Sequence, residues 1–285
     1  PAVMVVGGLF DAEDLYGLFN TYKKIEETSD NHNIMVFGPW SHGDWARQTE
    51  RQAVGNVYFG DNISEDYQRN VETTFFNHFL KKGGEGDLDL AEAYVYDTGA
   101  RKWNSYEAWP PKEAEPKVFY LGDEQELTNE ATDNEESFVS DPAKPVSYNN
   151  EIKAVFTPRE YMTGDQRFAA RRPDVLVFET EALEEDMKLA GEIEARLNVA
   201  TTGTAADWVV KVIDVYPPEA EDYEETLEHL DMDNYHMMVR SEVMLIDRNP
   251  QTYVPNIFKA EEEDFQQQTH TVFGDSAIEF SVIKE

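Results

Sequence analysis

Asp11 and His42 are the two residues whose types and placement could do chemistry together. Each lies just past a short apolar run, Asp11 after Val3–Val6 and His42 after Ile34–Phe37, and thirty-one positions separate them. An acid that holds one ring nitrogen of a histidine fixes its tautomer and leaves the other nitrogen free to take a hydroxyl proton. That is two thirds of a nucleophilic triad, and the missing third is a serine. The G-x-S-x-G turn that would present such a serine is absent. Gly274-Asp275-Ser276-Ala277-Ile278 lacks the final glycine, and Ser41 adjoins His42, too close in sequence to serve it. A catalytic pair here therefore expects its serine outside these 285 residues. A single acid and a single histidine in loops are also common as plain surface residues. Of the six histidines, however, only His42 closes an apolar strand run. His78 falls on a Phe-rich helical pattern, and His32, His229, His236 and His270 stand in polar surroundings.

The elements that must position the pair are legible as alternating patterns. Val3–Val6, ended by Gly7-Gly8, reads as a buried strand, and Ile34–Phe37, closed by Gly38-Pro39, reads as another. Between them, Leu15, Leu18, Phe19, Tyr22 and Ile25 recur at helical spacing over residues 14–27, with Asp14 at the favourable N-terminal end. Residues 64–82 read as a second helix, capped by Ser64, with Tyr67, Val71, Phe75, Phe76, Phe79 and Leu80 facing inward. Strand, helix, strand, helix implies a parallel α/β layer, in which loops at the carboxyl ends of neighbouring strands share one crevice. Asp11 and His42 would meet there. Beyond Gly86 the texture changes to short β-prone runs at residues 93–96, 118–121, 175–179, 193–200 and 208–215, separated by turns and acidic loops. The expected organisation is an α/β part over 1–86 and an all-β sandwich over 87–285, divided in the Gly- and Asp-rich 81–90 linker.

Composition narrows the partners. Lys plus Arg number 24 against 58 Asp plus Glu, a net charge of −34, so neither nucleic acid nor an anionic membrane surface is expected. Hydrophobic residues at 40% suffice for a core. Zero cysteine excludes a disulfide scaffold, a thiolate metal site and a cysteine nucleophile. No window approaches the roughly 18 apolar residues of a membrane span. Asp231-Met232-Asp233 with Glu242 has the outer spacing of a calcium loop, but Tyr235 and His236 stand where a ligand and a glycine belong. The acidic stretches read as solvated faces. The chain opens at Pro1, without Met, directly into a core-like strand, and is expected to be a piece of a longer protein.

Gly8-Leu9-Phe10-Asp11-Ala12-Glu13-Asp14 and Gly38-Pro39-Trp40-Ser41-His42 resemble the acid and histidine motifs of the CocE/NonD serine hydrolases, and most of all the α-amino acid ester hydrolases, or β-lactam antibiotic acylases. Ser140–Pro145, Arg172–Leu176, Asp207–Lys211 with Asp214–Pro217, and Asp247–Asn256 match as well. The resemblance implies the C-terminal part of an α/β-hydrolase sheet followed by a jelly-roll β-sandwich of the X-Pro dipeptidyl-peptidase C-terminal type. It implies Asp11 as triad acid, His42 as triad base, and Glu13 and Asp14 as carboxylates that bind a substrate's α-ammonium group. That chemistry requires no metal or organic cofactor. The expected partner is a small α-amino acyl ester or amide; a homo-oligomer and export to the periplasm or medium are both compatible with it. An X-Pro dipeptidyl peptidase, a glutaryl-type acylase and a noncatalytic β-sandwich binding module stand as alternatives. The chain departs from the family in two ways. The serine, oxyanion-hole and cap motifs match no residue of this chain, and Met244 runs straight into Leu245 where relatives insert further strands.

Overall fold

The computed structural model describes residues 1–47, 50–81, 88–150, 159–223, 231–247 and 266–284. Most of the described secondary structure is β-sheet, with few helices. It divides into two compact units. The first comprises residues 1–111, 153–164 and 215–237, and the second comprises 112–152, 165–214 and 238–285.

In the first unit, β1 (Ala2–Gly8) lies parallel to β2 (His32–Gly38), from Ala2 opposite His32 to Gly8 opposite Gly38. β2 is buried along nearly its whole length, as a parallel strand covered on both faces must be. Helix α1 (Leu15–Thr28) makes the crossover and packs on both strands. Its Phe19 ring stacks on Phe37 with centroids 4.1 Å apart. Its one fully buried side chain, Tyr22, donates a hydrogen bond to Glu92 Oε1 at 2.5 Å. A hairpin of β3 (Arg51–Val54) and β4 (Val57–Asp61) follows. Residues 63–80 form one helical stretch: α2 (Ile63–Tyr67), a wider π turn (Gln68–Glu72) and α3 (Thr73–Leu80). Its cap lies two residues earlier than Ser64. Asn62 takes the cap position in a left-handed conformation, and the Ser64 hydroxyl instead donates to the Asp44 carbonyl at 3.1 Å.

β5 (Ala93–Asp97) adds to β2 in parallel, and β6 (Lys102–Tyr106) returns antiparallel to β5, giving the order β1-β2-β5-β6. This moves the division of the chain. The sequence reading separates 1–86 from 87–285, whereas the compact units part at Pro111/Lys112, because two strands beyond the linker complete the first sheet. Residues 82–87 of that linker lie outside the described residues.

The second unit is antiparallel. β7 (Glu115–Leu121) and β8 (Leu127–Thr128) join β10 (Lys188–Arg196) and β15 (Ala277–Ile283) in the order β10-β15-β7-β8. β9 (Glu135–Ser140) and β11 (Val199–Thr201) flank β14 (Gln268–Phe273). β12 (Ala205–Val215) pairs with the twelve-residue β13 (His236–Asp247). A short helix, α4 (Arg167–Ala170), completes the described elements. Phe119, Ile278 and Phe280 form the core of the larger sheet. The β-prone run at 193–200 is split between β10 and β11, and that at 175–179 makes only an isolated bridge, Glu179 to Glu126. β13 runs unbroken through the Met244–Leu245 junction. The rest of the 247–256 motif, from residue 248 on, lies outside the described residues.

His270 on β14 is buried between the Phe138 and Trp208 rings, with Nε2 2.7 Å from Ser140 Oγ and, among the described residues, no hydrogen-bond partner on Nδ1. Burial holds its pKa below the ordinary imidazole value. The unfolded chain therefore takes up the proton first as pH falls. The contribution is complete above about pH 6.5 and is lost as pH drops through the folded-state value. Urea titrations followed by Trp fluorescence are expected to show lower stability at about pH 5.5 than at pH 7.5, with a shallower dependence in His270→Gln. An identical dependence in the variant would assign the effect to other groups.

Candidate active site

The site begins with the register of β1 and β2. Their last residues, Gly8 and Gly38, are paired, so the chain leaves both strands side by side. Beyond the sheet the two segments stay bonded: Leu9 N–H donates to the Gly38 carbonyl at 2.8 Å and Phe10 N–H to the Trp40 carbonyl at 3.0 Å. Gly8 permits this contact, since a Cβ there would stand 2.1 Å from the Trp40 carbonyl oxygen, a backbone atom with no room to yield. Trp40 is fully buried, with Tyr67 edge-on at 5.4 Å and Trp103 at 5.6 Å. Phe10 stacks on Phe59 at 4.8 Å. Aromatic packing thus fixes both loops from below.

Asp11 and His42 meet. His42 Nδ1 is 3.0 Å from Asp11 Oδ2. The Asp11 side chain is 0% exposed and that of His42 45%. Asp11 Oδ1 accepts the amides of Glu13 at 2.8 Å and Asp14 at 3.2 Å. A buried carboxylate without such partners would be costly; here both oxygens are engaged, and Oδ2 is left pointing at the imidazole. Asp14 caps α1 by position but makes no side-chain cap bond. Its Oδ2 lies 3.4 Å from the same His42 Nδ1, and its side chain is 59% exposed. Glu13 is exposed and is tied to the group through its backbone. With Asp11 on Nδ1, His42 Nε2 remains the nitrogen able to take a proton from a hydroxyl.

Asp44 was not singled out from the sequence, yet it holds the turn that carries His42. Its Oδ2 accepts the Ser41 hydroxyl at 2.6 Å and the Ser41 amide at 3.2 Å. Its Oδ1 accepts Arg47 Nη1 at 2.9 Å and Arg159 Nη1 at 3.3 Å. Between them Gly43 has φ +77°, a conformation that favours glycine. The signal was available: Ser41-x-x-Asp44 has capping-box spacing, and the structure places a short 3₁₀ turn, Asp44–Ala46, right after it. Ser41 and Asp44 also line, with Arg51, Gln52, Arg159 and Glu160, a cleft of about 270 Å³.

Among the described residues, Asp11, Asp14 and His42 form the group able to hold a metal ion, offering one atom each within 4.8 Å of one another. Asp231, Asp233 and Glu242 form no such group.

The sheet β1-β2-β5-β6, whose paired strand ends bring an acid and a histidine together, is followed in the chain by antiparallel sheets. Residues 85–252, more than half of the chain, match the X-Pro dipeptidyl-peptidase C-terminal non-catalytic domain, and the chain belongs to that family. It is similar to the cocaine esterase of Rhodococcus sp. (strain MB1 Bresler), 26% identical over 213 residues, covering 69% of this chain and 35% of the esterase. Among solved structures, an aminopeptidase from a marine sediment archaeon, Thaumarchaeota archaeon, superposes with a TM-score of 0.84 at 31% identity, covering 99% of this chain and 55% of the other. An α-amino acid ester hydrolase superposes with a TM-score of 0.81 at 28% identity, covering 98% and 55%. The chain thus spans about half the length of these solved structures and about a third of the esterase. The resemblance to CocE/NonD hydrolases, and within them to α-amino acid ester hydrolases, stands.

Asp44→Ala removes the acceptor of four contacts; the two from Ser41 are worth about 1 kcal/mol each, and the two from the half-exposed Arg47 and Arg159 side chains less. Amide exchange at Ala46 and Arg47, whose N–H groups close the turn, is expected to quicken about tenfold or more, while β2 keeps its protection. Unchanged exchange there would show that Ser64 and Gln68, which bond the Asp44 and Trp45 carbonyls, hold the turn instead.

Proposed function

We propose that the protein containing these residues is a serine hydrolase or acyltransferase acting on α-amino acyl esters and amides. The observation that carries the reading is the 3.0 Å contact between a half-exposed imidazole and a buried carboxylate whose other oxygen is fixed by two amides. Kinship with an esterase, an α-amino acid ester hydrolase and an aminopeptidase supports it.

In this reading a serine outside these residues attacks the acyl carbonyl. His42 Nε2 takes its proton and then gives it to the leaving alkoxide or amine. Asp11 holds the tautomer and stabilises the imidazolium. Glu13 and Asp14, at the start of α1, supply negative charge beside the pair, which favours a substrate carrying an α-ammonium group. The step uses no metal or organic cofactor. The second unit is then the jelly-roll domain of the X-Pro dipeptidyl-peptidase C-terminal type, with the first unit supplying part of an α/β-hydrolase sheet.

A second reading, removal of residues from a free peptide N-terminus, is favoured by the aminopeptidase at 31% identity and by the description of the family itself. It uses the same amine-binding carboxylates and differs in the leaving group.

Hydrolysis of phenylglycine methyl ester by the full-length protein tests the proposal. His42→Ala is expected to lower kcat by about 10³-fold or more; equal rates would end the reading. Glu13→Ala combined with Asp14→Ala is expected to raise KM about tenfold or more for free-amine substrates and to leave N-acetylated analogues little changed. Proline-specific dipeptide release exceeding ester hydrolysis would select the peptidase reading.

A further inference from the structure

His42 Nδ1 carries at most one proton, yet two carboxylates approach it, Asp11 Oδ2 at 3.0 Å and Asp14 Oδ2 at 3.4 Å. One N–H cannot satisfy both. With the imidazole neutral, the group holds two negative charges, and only the Asp11 carboxylate is otherwise bonded by backbone amides. The three donor atoms lie within 4.8 Å of one another. Ligands about 2.1 Å from a tetrahedral zinc ion stand about 3.4 Å apart, against 3.0 and 3.4 Å here from Nδ1 to the two carboxylate oxygens. A single imidazole with two carboxylates suits a borderline divalent ion such as Zn²⁺ better than Ca²⁺ or Mg²⁺, which prefer all-oxygen shells. The amides on Asp11 Oδ1 act as the outer bonds that orient a ligating carboxylate. Half-exposed His42 and Asp14 leave the position open to solvent, so an ion can enter and keep a water as fourth ligand.

We propose that Asp11, Asp14 and His42 form a site for a zinc-like divalent ion, and that the ion switches the histidine off. Binding on Nδ1 requires that nitrogen to give up its proton while Nε2 takes one from water, so the imidazole stays neutral and changes tautomer. Nε2 then carries a hydrogen and cannot accept one from a hydroxyl. The ion also occupies Asp14, so it competes with a substrate ammonium group. Binding itself does not depend on the catalytic reading; the inhibition rests on it.

The test is calorimetric titration of this 285-residue chain with zinc chloride in a large excess of Mg²⁺, which occupies scattered surface carboxylates. One Zn²⁺ per chain is expected, weakened about tenfold or more by Asp14→Asn and lost in His42→Ala. Asp231→Asn, far along the chain, is expected to bind as the parent does. Imidazole ¹⁵N–¹H correlation spectra are expected to show Nε2 protonated in the zinc form. Uptake that is unchanged in Asp14→Asn and His42→Ala, uptake abolished by Mg²⁺, or zinc on Nε2 would each overturn the proposal. If the full-length protein hydrolyses amino esters, zinc is expected to raise KM for free-amine substrates more than for N-acetylated ones, and equal inhibition of both would overturn the competition. Should the full-length protein hydrolyse nothing, the titration still reads, so failure of the catalytic reading and failure of the metal site are distinguishable.

Discussion

Leu9 N–H on the Gly38 carbonyl and Phe10 N–H on the Trp40 carbonyl tie the segment after β1 to the segment after β2, and the side chains around His42 hang from that seam. Parallel pairing alone would bring two strand ends near each other. It is the continuation of bonding past the sheet, made possible by a glycine where a Cβ would strike backbone, that sets an acid and an imidazole at bonding distance. Trp40 is held beneath the seam by Tyr67 and Trp103, so the position of the imidazole is inherited from packing several residues away.

The electrostatics of the group follow from unequal burial. Asp11 has no exposed side-chain surface, but two amides and an imidazole replace the water it gave up. Asp14 keeps more than half of its side-chain surface exposed. In a chain of net charge −34, most carboxylates are solvated and screened. These two differ because one histidine nitrogen is shared between them.

Much of this was legible in the sequence. The apolar runs ending at Gly7-Gly8 and Gly38-Pro39 gave two strands, the spacing of Leu15, Leu18, Phe19 and Tyr22 gave the crossover helix, and the interval from Asp11 to His42 equals one helix and one returning strand. Three features were not legible, for separate reasons. β5 and β6 look like the start of the β region because strand pattern is local, while pairing of β5 with β2 is decided across some sixty residues of chain. Residues 175–179 have strand composition, but only Glu179 finds a partner there. Asp44 looked like another surface acid. Its spacing from Ser41 was a legible local signal; its contact with Arg159, 115 positions away in sequence, was not.

The π turn at Gln68–Glu72 has a bearing on Trp40. Tyr67, Val71 and Phe75, all buried, are spaced by four residues. In an unbroken α-helix each such step overshoots a full revolution by about 40°, so the three would spiral away from a common line. A wider coil in the middle takes that angular surplus back and realigns them. Lineage members that lose or gain one residue in this stretch would rotate Tyr67 relative to Phe75, and the indole beneath the histidine loop would feel a length change made about thirty positions downstream.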